Sequence, residues 1–145
     1  MADARIRVEA NSATLPKTFI RSGKFEWIID EPESFGGQSQ GPSPVETLLA
    51  AIASCIVAAG HWIAGEMGIV IHNIRIAVEG TIDSDKFFGK VTSKRAGFSN
   101  IELSISLDTE ASDDLIKKWL DQTLDRCPVI DNLLKPVHIT TQISY

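Results

Sequence analysis

Residues 4–10 alternate, with Ile6, Val8 and Ala10 opposite Arg5, Arg7 and Glu9. That spacing predicts a half-buried strand. Phe19 to Arg21 and Lys24 to Ile29 flank Ser22-Gly23, which predicts a hairpin with a two-residue turn. Residues 30–43 carry two prolines and three glycines, so a long loop follows. Ser43-Pro44-Val45-Glu46 combines an N-cap serine, proline at the first helical position and a glutamate placed to close a capping box. A helix is expected from there to about Gly65 or Gly68. Residues 47–65 contain no charged side chain, with His61 counted neutral. A helix apolar nearly all round is expected to be buried on most faces.

The second half predicts a strand over 69–82, with Val70, His72, Ile74, Ile76 and Val78 on one face. A polar irregular stretch over 83–97 follows. Residues 98–107 alternate, with Ile101, Leu103, Ile105 and Leu107 inward. Ser112 or Thr109 caps a helix to about Asp125, with Asp113 and Asp114 in its first turn, where the helix dipole favours acids. Cys127-Pro128 interrupts the chain, Val129 to Leu134 form a short helix, and residues 137–145 read as a closing strand. The order β-β-β-α-β-β-α-α-β is that of an α+β fold. Residues 1–145 show no repeat and no linker, so one domain is expected.

Composition narrows the function classes. Of 145 residues, 43% are apolar, which excludes disordered and collagen-like chains. The net charge of −5 counts against a general nucleic-acid binder, which needs a basic face. The segment 47–65 is long enough to cross a membrane. Its alanines, Thr47, Ser54 and His61, and its flanks Glu46 and Glu66 instead suit a core helix among strands that need covering. The first residues lack the apolar run of a signal peptide, so a cytoplasmic setting with reduced thiols is expected.

Two cysteines carry the candidate chemistry. Cys55 sits mid-helix among Ile52, Ile56 and Ala59, where a small buried hydrophobe is the ordinary reading. Cys127 precedes Pro128. It either caps the short helix, where free N–H groups favour a thiolate, or continues the apolar stripe of Ile116, Leu120 and Leu124. No CxxC pair is present, and a Cys55/Cys127/His61 metal site has only ligand type in its favour.

The motif GG-x-x-x-GPSPVETLLAAIASC, followed downstream by CPVIDNLLKPV, resembles the OsmC/Ohr family of osmotically inducible and organic hydroperoxide resistance proteins. Gly97-Phe98-x-x-Ile101 is similar to its general OsmC-like branch. The resemblance is clearest over residues 36–145. It implies an intertwined α+β homodimer, with antiparallel sheets wrapped around central cysteine helices. It also implies a thiol peroxidase that reduces organic hydroperoxides, with Cys55 peroxidatic and Cys127 resolving. The cycle needs no bound cofactor, only an external dithiol reductant. In the hydroperoxide-resistance branch an arginine from the N-terminal strands activates the thiol and a glutamate orients it. Arg21 and Glu46 are the residues in those places here, with Arg5, Arg7 and Arg126 as competing arginines. Glu46 lies nine residues before Cys55, about 900° of helix, which puts it on the opposite face. A non-catalytic dimer of the same fold, holding a small apolar ligand, is the alternative function.

Overall fold

The computed structural model describes residues 3–145. They form two compact units, residues 3–48 and 49–145, and the division falls inside the long helix.

The first unit holds strands β1 (Glu9–Asn11), β2 (Thr18–Ser22) and β3 (Phe25–Ile29), paired antiparallel in the order β1-β2-β3. The hairpin turn is Gly23-Lys24, one residue later than expected, because Ser22 pairs with Phe25. Gly23 has φ +58°, which a primed turn requires at its first central position and glycine supplies at little cost. Strand β1 is shorter than its alternation predicts. It pairs with β2 only over Glu9–Asn11, and among the described residues nothing covers the apolar positions before it, so Ile6 is 85% exposed. The loop after β3 is organised by the buried carboxylate of Asp30, which accepts the backbone N–H of Glu31, Gln38 and Gln40 at 2.9–3.1 Å. Burial pushes this carboxyl up, but the three N–H groups and Lys17 together hold it below the usual range.

Helix α1 (Pro44–Met67) starts where the capping motif places it. Glu46 Oε2 accepts from the Ser43 N–H at 2.8 Å and the Ser43 hydroxyl at 2.7 Å, while the Glu46 N–H donates back to Ser43 Oγ at 3.3 Å.

The second unit contains the rest of α1, strands β4 (Ile71–Thr81) and β5 (Asn100–Thr109), and helices α2 (Asp113–Asp125) and α3 (Pro128–Leu134). Strands β4 and β5 form an antiparallel ribbon with a register shift between Ile71 and Asn73. That irregularity corrects the inward face of β4. Ile71 and Ile74 pack on the core, while Val70 and His72 stay exposed, because an extra residue in a strand reverses the alternation. Beyond it, Ile76 and Val78 face inward with Ile101, Leu103 and Ile105 of β5.

The core forms along one stripe of α1, made by Ile52, Ile56, Gly60, Ile63 and Ala64. Ile52 and Ile56 pack with Cys127 against the ribbon, and Ile63 and Ala64 pack with Ile69 and Trp119. Fully burying such an isoleucine contributes about 1.5–3 kcal/mol. The expectation of burial on most faces is corrected here, since Ser54, Ala58, His61 and Trp62 remain exposed. By length and hydropathy alone α1 also meets the requirement for a membrane span, but its buried stripe is that of a core helix. Residues 137–145 keep their alternation but form no strand. Val137, Ile139, Ile143 and Tyr145 are exposed. A strand exists only against a partner edge, and among the described residues no edge pairs with this segment.

Helix α2 is fixed to α1 at one close contact. The Trp119 indole N–H donates to the Gly60 carbonyl at 2.8 Å, and a Cβ on Gly60 would lie 2.6 Å from Trp119 Cζ2. Trp119 is buried and bonded, so it has little room to retreat. Gly60→Ala is therefore expected to lower stability by about 1–3 kcal/mol, the usual cost of overpacking. Denaturant titration should show the midpoint falling with the slope unchanged.

Candidate active site

The two sulfurs meet in the second unit. Cys55 lies on α1, and Cys127 is the residue immediately before α3, with extended backbone at φ −84°, ψ 110°. Pro128 imposes that conformation and starts the short helix. Cys127 Sγ donates to Cys55 Sγ at 2.8 Å, and both are free thiols. Closing a disulfide requires the sulfurs to approach by about 0.8 Å more. Cys127 is fully buried beneath Ile52 and Ile56, whereas Cys55 is half-buried.

Cys127 does stand at the start of the short helix, but burial removes the thiolate that this position would otherwise favour. Removal from water, and then the S–H bond to Cys55, push the Cys127 thiol above its ordinary value. The N–H groups of Ile130 and Val129 at the start of α3 pull the other way and are outweighed.

Cys55 opens onto a groove of about 370 Å³. Its walls are Ala58, Ala59, Trp62, Ile63 and Pro128, and Arg126 completes the lining. Residues 55, 58, 59, 62 and 66 share one side of α1, since seven and eleven residues each return to within about 20° of the starting direction. Glu66 uses that position to hold Arg126, accepting from Nη1 at 2.5 Å and Nη2 at 3.1 Å. The Trp62 indole N–H donates to the same carboxylate at 2.8 Å. The Arg126 bonds first, then the Trp62 bond, hold the Glu66 carboxyl below its ordinary range. The sequence named Arg126 only as one of the competing arginines, and it missed Trp62 and Glu66, although the helical spacing from Cys55 to Glu66 is readable.

Arg21 and Glu46 belong to the first unit. Arg21 lies on β2 beside an 830 Å³ groove over the three-stranded sheet. Its Nε donates to the Gly23 carbonyl at 3.4 Å and stands 3.8 Å from Glu26. Glu46 is engaged by Ser43, whose hydroxyl and then N–H hold its carboxyl below the ordinary value. Among the described residues no bond joins Arg21 to Glu46.

The model of the OsmC family, described as OsmC-like protein, matches residues 36–142. The chain belongs to the OsmC-like family. Its fold is shared by an OsmC-like protein of Mycoplasma pneumoniae, with TM-score 0.80 and 22% identity over 93% of this chain and 91% of that one. An organic hydroperoxide resistance protein of Legionella pneumophila gives TM-score 0.65 and 14% identity over 92% and 91%. One from Elizabethkingia anophelis gives 0.65 and 14% over 90% and 88%. No curated protein matches the chain. The OsmC-like fold thus accounts for the α+β architecture and for the antiparallel sheets of both units.

The Cys127 environment sets a pH dependence for this OsmC-like chain. The folded thiol keeps its proton above the ordinary value, so the unfolded chain loses that proton first. The stability contributed by the neutral thiol is complete below the unfolded value, about pH 8.5. It is lost as pH rises through the higher folded value. Denaturation midpoints of the reduced protein should fall as pH rises above about 8, and Cys127→Ala should flatten that decline.

Proposed function

We propose that the protein reduces organic hydroperoxides with its cysteine pair. The observation that carries this reading is the 2.8 Å separation of Cys55 and Cys127 beside an apolar groove onto which only Cys55 opens. The Cys55 thiolate attacks the terminal oxygen of the hydroperoxide and the O–O bond breaks. Cys55 becomes a sulfenic acid, and the alkoxide takes a proton to leave as the alcohol. The Cys127 sulfur then displaces the sulfenic oxygen. Its proton leaves with that oxygen as water, and a disulfide remains. An external dithiol restores both thiols by exchange and is itself oxidised to a disulfide. The hydroperoxide resistance proteins that share the fold support the substrate class, and a cytoplasmic setting suits resting thiols.

Burial supports this order of the thiols. Peroxide reaches Cys55 from the groove, while Cys127 is screened until Cys55 is oxidised. Mass spectrometry after one equivalent of cumene hydroperoxide should show the loss of two hydrogens from the wild type. Cys127→Ser should gain oxygen and stall, and Cys55→Ser should do neither. Wild-type thiols that stay free under excess peroxide would replace this reading with that of a ligand-binding protein.

The same reading includes a homodimer. The uncovered face of α1, the exposed Phe19 and Phe25 of the small sheet, and the unpaired alternating segment 137–145 offer more apolar surface than an isolated chain of this size normally leaves. A second copy that covers them is the simplest remedy. Light scattering at micromolar concentration should give about twice the chain mass of 15.8 kDa, and a well-behaved monomer would overturn the assignment.

A further inference from the structure

Only Arg126 and Cys127 separate α2 from α3. The Arg126 N–H still donates to α2, at the Gln122 carbonyl, 3.0 Å, and the Cys127 carbonyl already accepts from Asp131 of α3, also at 3.0 Å. Between them the Cys127 N–H reaches only the Leu124 carbonyl at 3.5 Å, beyond the usual range for such a bond. The weakest backbone tie of this junction thus falls on the residue that carries the second sulfur. A side chain makes up for it. Arg126 holds the Glu66 carboxylate through Nη1 and Nη2, and the Trp62 indole N–H donates to the same carboxylate. Glu66 stands on the Cys55 side of α1, three turns on. The bridge therefore joins the helix that carries one sulfur to the residue adjoining the other.

Resting on the hydroperoxide reading, we infer that Glu66 and Arg126 are positioning residues for the resolving step: they brace Cys127 against Cys55 so that the disulfide closes before a second peroxide arrives. The sulfenic acid at Cys55 faces two fates. Attack by the Cys127 sulfur forms the disulfide and releases water. Attack by its own sulfur on a second hydroperoxide breaks that O–O bond, giving a sulfinic acid and one more alcohol, and the cysteine is then lost to the cycle. Cys55 stays open to the groove throughout, so the outcome depends on how constantly the Cys127 sulfur is within reach. The 2.8 Å separation is the braced arrangement. Both side chains of the ion pair are nearly half-exposed, so the brace biases the junction by about fivefold at most and is open to screening by salt.

The test mixes the reduced protein with excess cumene hydroperoxide, quenches at intervals with dimedone, and reads sulfenic adduct, disulfide and sulfinic acid by mass spectrometry. In the wild type, disulfide should outrun sulfinic acid. Glu66→Gln and Arg126→Gln should each slow closure by about fivefold relative to sulfenic acid formation, with more Cys55 ending as sulfinic acid. The double variant should be no worse than either single one, as two halves of one brace require. Arg126→Lys, which keeps the charge but not the planar fork, should fall between. Denaturant titration of each variant checks the fold. A further measurement needs no variant: raising salt from about 0.05 to about 1 M shortens the Debye length to about 3 Å and should slow closure in the wild type. Closure that is unchanged in folded variants, or that ignores salt in the wild type, would overturn the inference. Equal slowing of both steps, the mark of a merely structural pair, would do the same, as would a change confined to sulfenic acid formation. Each of these leaves the peroxidase reading standing. Failure of the wild type to consume the peroxide would end both.

Discussion

The contact between Trp119 and Gly60 is the constraint on which the second unit depends. Gly60 is the place where α1 presents bare backbone, and the indole of α2 lies against it with its N–H on the Gly60 carbonyl. Trp119 is eight residues before Cys127, and Gly60 is five after Cys55. Fixing the helices there sets the direction in which α2 ends, and the chain then turns at Arg126-Cys127-Pro128. The meeting of the sulfurs and the clasp of Arg126 on Glu66 both follow from that one placement. A bulkier residue at position 60 would move the whole end of α2 away, with Cys127 upon it.

Burial then separates the surroundings of two chemically identical groups. Cys127 is enclosed by Ile52 and Ile56, while Cys55, three residues after the first and directly before the second, opens sideways onto the groove. The backbone N–H groups at the start of α3 would favour a charged sulfur in an open setting, but desolvation outweighs them. Solvent access, more than the intrinsic chemistry of either thiol, differentiates the pair.

Local signals in the chain were legible and tertiary ones were not. Ser43-Pro44-x-Glu46 announced the start of α1, and its bonds form as the motif dictates. The same bonds occupy Glu46, which a helical wheel already puts opposite Cys55. The wheel would equally have exposed Trp62 and Glu66 on the Cys55 side, but nothing in the sequence indicates that Arg126 reaches back across 60 positions to join them. The irregularity at Ile71 and Asn73 was hidden because one extra residue leaves an apolar run looking continuous. Residues 137–145 show the opposite failure. Their alternation is real, but pairing is a property of two segments, and periodicity reports on only one.

The turn at Cys127 also couples folding to oxidation state. A bond between the two sulfurs would close a loop of 72 residues. In a chain-entropy view this removes freedom from the unfolded chain worth about 4 kcal/mol. A thermodynamic cycle makes the effect reciprocal: whatever the bond adds to the fold, the fold adds to the bond. Native packing would therefore favour the oxidised pair over the same two thiols in an extended chain, and any reductant of that bond would work against the architecture as well as against sulfur chemistry. Loosening α2 from α1 would ease reduction even though no reacting atom had changed.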